Sequence, residues 1–226
     1  MTTPTIDVAT LSPVQRWKTA LQALAKIMVN PDDTEAVLVF STYANAGTMY
    51  DRLDNFFADA DGARIYREHR TIDGETDLAA LAALPPGTLG RAYVDFLEAH
   101  GFTPDVFSGP VADVADPRAA YVIQRMRQTH DLWHVVTGHE TDPAGEVALQ
   151  AFTFGQVRAP STLIISAMGT LRGLRETPTL AKDVVLAFRA GRAAHPFLTF
   201  PWEDHWATPL AEVRAMLGVT PVRAAA

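Results

Sequence analysis

Four pairs in this chain set a proline directly after a helix-capping residue and ahead of a helical pattern: Ser12-Pro13, Asp116-Pro117, Asp142-Pro143 and Thr208-Pro209. Proline lacks a backbone N–H and has a fixed φ, which suits the first position of a helix and disrupts its interior. Each pair therefore predicts where a helix begins. Apolar residues then recur at intervals of three and four, as in Trp17, Leu21, Leu24 and Met28, or Leu89, Tyr93, Phe96 and Leu97. No stretch alternates long enough to read as a half-buried strand, and no repeat period is present. The expected fold is all-α. It is a single-domain multi-helix bundle over residues 1–226, with short flexible termini outside Ser12 to Val219 and with room for an apolar ligand pocket.

In chain order, Ser12 and Gln15 form a capping box for a first helix whose Trp17–Met28 stripe is read as core-facing, up to Asn30-Pro31, with contact of Trp17, Arg16 and Lys18 with a membrane surface as the alternative. Further helices are expected from Asp33 through Phe40, over 49–57, over 73–84 and over 88–100, the last stopped by Gly101. Residues 102–115, with Pro104, Gly109 and Pro110, read as loop and as a candidate lid or domain seam. A central helix over 117–137 would span about 30 Å. Residues 161–169 are apolar on nearly every side and are expected to be buried. A helix over 180–190 ends at Gly191, and the aromatic run 195–202 suits core, pocket lining or a membrane-facing edge.

Composition excludes several classes of function. A net charge of −7 argues against a general nucleic-acid binder, which needs a basic surface. The absence of cysteine excludes disulfides and thiolate metal sites. The first ten residues lack the pattern of a secretory signal or transit peptide, and no apolar run approaches the ~18 residues needed to cross a bilayer. A cytoplasmic protein, soluble or peripheral to a membrane, is expected.

The chemistry concentrates in His130-Asp131-Leu132-Trp133-His134, followed after eleven residues by Glu146. On a helix His130 and His134 lie on one face, a turn apart, with Asp131 flanking it. Asp142-Pro143 would open a second helix with Glu146 in its first turn, so a helical hairpin could return Glu146 to the histidines. Two imidazoles and two carboxylates suit a metal with nitrogen and oxygen ligands. Histidines four apart are also ordinary on helix surfaces, and the carboxylates are what make this pair a candidate site. Arg127, one turn before Asp131, reads either as its salt-bridge partner or as a receptor for a substrate carboxylate or phosphate. His69, His100, His139, His195 and His205 have no partner at ligand spacing and are read as structural.

The His130-Asp131-x-x-His134-x11-Glu146 pattern resembles the signature of the coenzyme Q biosynthesis protein 4 family. The runs Gly87–Tyr93, Tyr121–Arg127, Gly145–Gln150 and Trp206–Val213 resemble it as well. The resemblance implies an all-helical fold and one divalent metal at His130, Asp131, His134 and Glu146. Zinc is the leading candidate, with iron, manganese, cobalt or magnesium as others, and Asp131 or Glu146 is read either as a fourth ligand or, in its place, as a catalytic proton carrier. It implies removal of the C1 carboxylate from a 4-hydroxy-3-methoxy-5-polyprenylbenzoate-like precursor, coupled to hydroxylation at that carbon. Its expected partners are a polyprenylated hydroxybenzoate or quinone precursor, other ubiquinone-biosynthesis proteins, a membrane surface and a second copy of the chain. The lack of a mitochondrial leader suggests a bacterial protein at the inner face of the plasma membrane. A non-catalytic scaffold that binds polyprenyl lipid for partner enzymes is the alternative, and a His-Asp phosphohydrolase is a weaker one.

Overall fold

The computed structural model describes residues 7–30, 33–104 and 111–222; in it helices begin at Pro13, Pro117 and Pro143 as their capping residues place them, whereas the Thr208-Pro209 pair is followed by a helix that starts only at Leu210, with Pro209 and not Thr208 at its cap. Twelve α-helices are formed among the described residues: α1 (Pro13–Val29), α2 (Thr34–Asn45), α3 (Met49–Ala58), α4 (Ala60–Arg67), α5 (Leu78–Ala82), α6 (Leu89–His100), α7 (Pro117–Gln128), α8 (His130–Thr137), α9 (Pro143–Val157), α10 (Pro160–Gly173), α11 (Leu180–Ala193) and α12 (Leu210–Leu217). Ser12 and Gln15 make the expected capping box, and the Asp116 and Asp142 side chains accept from first-turn amides of α7 and α9. No strand forms among the described residues; a single antiparallel bridge, Thr88 to Pro209, ties the start of α6 to the segment before α12.

α9 is the axis of the packing. It lies against α11 on one side and α10 on the other, and α10 in turn meets α2, which carries α1. The α9–α11 approach depends on glycine, since a Cβ on Gly191 would sit 2.2 Å from the Phe152 carbonyl oxygen. α6 covers α8, and α12 closes against both. The aromatic run 195–202 is core: Phe197 and Trp202 are buried, and Phe197 meets Trp133 and Phe152 edge-on at 5.3 and 5.1 Å. This cluster locks α8 to α9 behind the candidate site. Arg125, fully buried on α7, pairs with Glu203 and donates to the Phe200 carbonyl, fixing α7 to the same loop.

Several expectations are corrected. The helix over 117–137 is two helices, broken at Thr129 (φ −91°, ψ −3°). The Thr129 hydroxyl donates to the Arg125 carbonyl at 2.9 Å, a back-bond that bends helices, and accepts from the Trp133 indole at 3.1 Å. The helix over 73–84 shrinks to α5, because Asp77 caps it and a turn fills 73–76. α11 runs through Gly191 to Ala193, since that glycine serves helix contact instead of a stop. The stripe of α1 does not face the core: Ala20 and Ala23 pack inward, while Trp17, Leu21 and Met28 are exposed. α10 likewise buries Ser161, Thr162 and Ser166 and turns Leu163 outward. Both helices meet their neighbours through small side chains, which apolar spacing alone does not reveal. Pro31 and residues 105–110, the centre of the candidate lid, lie outside the described residues.

Candidate metal centre

His130 opens α8 and His134 follows one turn later, with ring centroids 4.8 Å apart. The C-terminal residue Gly138, in the left-handed conformation (φ 73°), reverses the chain after α8. That turn sets the His139 carbonyl oxygen 2.9 Å from His134 Nδ1. A carbonyl only accepts, so Nδ1 carries the proton and Nε2 presents its lone pair. Phe96 of α6 stacks on the His134 ring at 5.7 Å and fixes its plane.

Asp142 caps α9 through the Gly145 amide at 2.7 Å, which puts Glu146 in the first turn, turned towards α8. Glu146 Oε1 lies 3.1 Å from His134 Nε2, and Oε2 lies 3.9 Å from His130 Nε2. One ligand atom from each of the three residues falls within 4.8 Å of the others.

The His134–Glu146 contact is the informative one. His134 Nε2 is buried and has no hydrogen bond, although a carboxylate oxygen is 3.1 Å away. With the proton on Nδ1, two electron-rich atoms face one another, an arrangement that a cation between them, or in the metal-free protein a second proton on Nε2, would make favourable. Ligand atoms at about 2.0–2.2 Å from a tetrahedral zinc stand about 3.3–3.6 Å apart, a few tenths of an ångström wider than this pair. Two histidines and a carboxylate also leave coordination positions open, as catalytic zinc and non-haem iron sites do. The residues therefore fit a divalent metal.

The titrating groups respond to one another. Burial works against the charged form of His130, but Asp131 and Glu146 outweigh it and hold its pKa above the ordinary value. Burial would raise Glu146; His134, with His130 and His139, reverses this and keeps the carboxylate ionised below its usual range. His139 is pushed down to about 4 by burial and by the nearby His134, against the pull of Asp183 and Glu146.

Of the four residues expected at the metal, the structure brings together His130, His134 and Glu146. Asp131 stands apart from that group. Its Oδ1 lies 3.6 Å from His130 Nδ1, on the ring edge opposite Glu146, where a carboxylate orients a ligand histidine. Arg127 makes no ion pair with Asp131: its guanidinium donates instead to the Thr42 hydroxyl at 3.1 Å. With no carboxylate beside it, burial lowers its pKa to about 10. Phe96 and His139 also shape the site and were not legible as part of it. The signal for His139 was its place just after the Gly138 turn, which returns its carbonyl to the preceding helix.

Cavities of about 380 Å³, between α5 and α6 beside Phe102, and about 530 Å³, beside Arg52 and Arg158, lie away from the three residues. No described helix is long and apolar enough to cross a membrane.

Residues 7–223 match the family model described as coenzyme Q (ubiquinone) biosynthesis protein Coq4. The mitochondrial ubiquinone biosynthesis protein COQ4 homolog of Homo sapiens is 32% identical over 212 residues, covering 92% of this chain and 80% of that protein. The corresponding Danio rerio protein is 34% identical over 211 residues, covering 92% and 78%. The crystal structure of a ubiquinone biosynthesis protein from Nostoc punctiforme superposes with a TM-score of 0.72 at 25% identity, over 90% of this chain and 98% of that one.

Proposed function

The chain belongs to the Coq4 family of coenzyme Q (ubiquinone) biosynthesis proteins, and from that premise we propose that it removes a ring carboxylate at a metal centre formed by His130, His134 and Glu146. The substrate is a 4-hydroxy-3-methoxy-5-polyprenylbenzoate-like precursor, and the carboxylate lost is the one on C1. The observation that carries this reading is the buried, unbonded His134 Nε2 beside an ionised carboxylate.

The residues divide the work. Loss of carbon dioxide leaves an electron pair on C1, so the ring needs help to bear the developing charge. A divalent metal held by the three side chains would act as a Lewis acid on an oxygen of the substrate. Asp131 orients His130 so that its Nε2 faces the centre. Arg127, a cation without a carboxylate partner among the described residues, receives the substrate carboxylate and sets its orientation. The carboxylates beside the ring are the candidates to return a proton to C1. When hydroxylation accompanies the loss, dioxygen is the oxidant.

The test is release of carbon dioxide from a carboxyl-labelled, short-tailed analogue, with and without dioxygen, followed by analysis of C1. His134→Ala should abolish release and metal binding together while leaving helicity intact. Arg127→Ala should raise KM about tenfold or more, as expected for a charge-assisted hydrogen bond worth about 1.5–3 kcal/mol, and leave metal content unchanged. Full release by His134→Ala would refute the reading. A non-catalytic polyprenyl-binding scaffold for other ubiquinone-pathway proteins is favoured by one observation, that the two cavities above lie away from the three residues. It predicts that the metal-loaded protein binds the analogue and releases nothing.

A further inference from the structure

The cavity of about 530 Å³ is assembled from three segments far apart in the chain: the 48–59 stretch that carries α3, the C-terminal end of α9, and residues 196–199. Hydrogen bonds fix its walls. The Gln156 amide donates to the Gly191 and Ala194 carbonyls and accepts from the Phe197 amide at 2.9 Å, which ties the end of α9 to the segment after α11. Phe56, Val157, Pro196 and Leu198 supply the apolar lining. Gln156 lies ten residues beyond Glu146 on α9, about 15 Å along the helix, so this cavity is a separate place from the metal centre.

Two groups in this cavity lack a partner. The half-buried Arg52 donates to the Thr48 hydroxyl at 2.6 Å and to the Asn45 carbonyl at 2.8 Å, and among the described residues it forms no ion pair. Its other N–H groups remain available. Burial lowers its pKa to about 10, against the pull of the neighbouring Asp51, so it stays a cation at neutral pH. A cation withdrawn from water without a counter-ion is costly, and an anion that reaches it is held by charge-assisted hydrogen bonds. Thr199 is buried with its methyl against Gly62, where a Cβ would come within 2.9 Å, and its hydroxyl has no hydrogen-bond partner among the described residues. Arg158 adds a second cation at the edge, in the left-handed conformation (φ 53°), its guanidinium 5.5 Å from the Phe154 and Phe188 rings.

We propose that this cavity binds a small organic carboxylate with an apolar body, its head group held by Arg52 and Thr199. The acids on the walls limit the charge of the occupant. Asp59 spends one oxygen on the Asp61 and Gly62 amides at the start of α4, and Asp51 stands exposed in the first turn of α3. Neither forms an ion pair with Arg52, but both repel the second charge of a phosphate. A carboxylate satisfies the guanidinium with one charge and two oxygens, and its apolar body meets Phe56, Val157 and Leu198. The site does not depend on the reaction assigned to the metal centre.

The experiment is a ligand-observed nuclear magnetic resonance titration of the full chain, stripped of metal, with benzoate, the neutral benzyl alcohol and the dianionic phenyl phosphate as probes. Benzoate should bind, and benzyl alcohol and phenyl phosphate should each bind about tenfold more weakly or not at all. Arg52→Gln should weaken benzoate about tenfold or more, and Thr199→Val about threefold or more. Thr199→Val removes the hydroxyl and keeps the shape, so it decides the matter should Arg52→Gln fail to fold, as judged by circular dichroism. Arg127→Ala and His134→Ala should leave benzoate binding unchanged, which separates this site from the metal centre. Absence of benzoate binding, binding unchanged in a folded Arg52→Gln or in Thr199→Val, or a preference for phenyl phosphate or benzyl alcohol would overturn the proposal. So would loss of benzoate binding in Arg127→Ala, since the anion would then occupy the candidate centre.

Discussion

Asp131 shows how much depends on which edge of an imidazole a carboxylate occupies. A ligand shares the metal with the histidine's other nitrogen; an orienting group sits behind the ring. At 3.6 Å from His130 Nδ1, opposite Glu146, Asp131 has the second geometry. Asp131→Asn should therefore weaken metal binding about 10–100-fold without abolishing it, measured by competition with a chromogenic chelator. Complete loss would return Asp131 to the metal itself. His139 gives a pH signature in the metal-free protein. The unfolded chain takes up its proton near 6.5, the folded protein only near 4, so stability falls as pH drops through that window. Ionised Glu146 adds to the loss in acid, whereas His130, with its raised pKa, stabilises the fold below 6.5. Denaturation midpoints followed from pH 7 to 4 should thus fall less steeply for His139→Gln than for the wild type, and parallel curves would contradict the assignment.

At the scale of elements, the site depends on two helix junctions. Thr129 forms the junction of α7 and α8, and losing its hydroxyl removes two hydrogen bonds. Thr129→Val should cost about 1–2 kcal/mol in chemical denaturation, because the Trp133 indole N–H is left unpaired in the core. Gly145 sets the start of α9: a Cβ there would lie 2.2 Å from the Glu140 carbonyl oxygen. Gly145→Ala must displace Glu146 or the 138–142 turn, so metal affinity should fall more than helicity does; titration with metal followed by circular dichroism checks both. Helix starts were legible in the sequence because caps are local: Ser12, Asp116 and Asp142 each act within three residues. The His130, His134 and Glu146 set was legible for the same reason, as its spacing crosses a single turn. The break at Thr129 was not, since threonine is tolerated inside helices and only the Trp133 indole makes its hydroxyl decisive. Nor was the buried side of α1, because Ala20 and Ala23 give no apolar signal beside Trp17 and Leu21. Contacts such as Phe96 with His134, or Arg125 with Glu203, join distant segments that no local pattern links.

For the whole molecule, the packing places α9 between α10 and α11, with α8 held against it by the Trp133–Phe152–Phe197 cluster. The two helices that carry the candidate ligands are thereby fixed to one core, so the site should persist when the metal is removed. Function rests on whether a metal is held there at all. The most direct measurement is elemental analysis of the purified, reconstituted protein beside His130→Ala and Glu146→Ala. The account predicts about one divalent metal per chain in the wild type, lost in both variants while far-ultraviolet circular dichroism stays unchanged. A wild type that takes up no metal, or variants that keep their full complement, would contradict it.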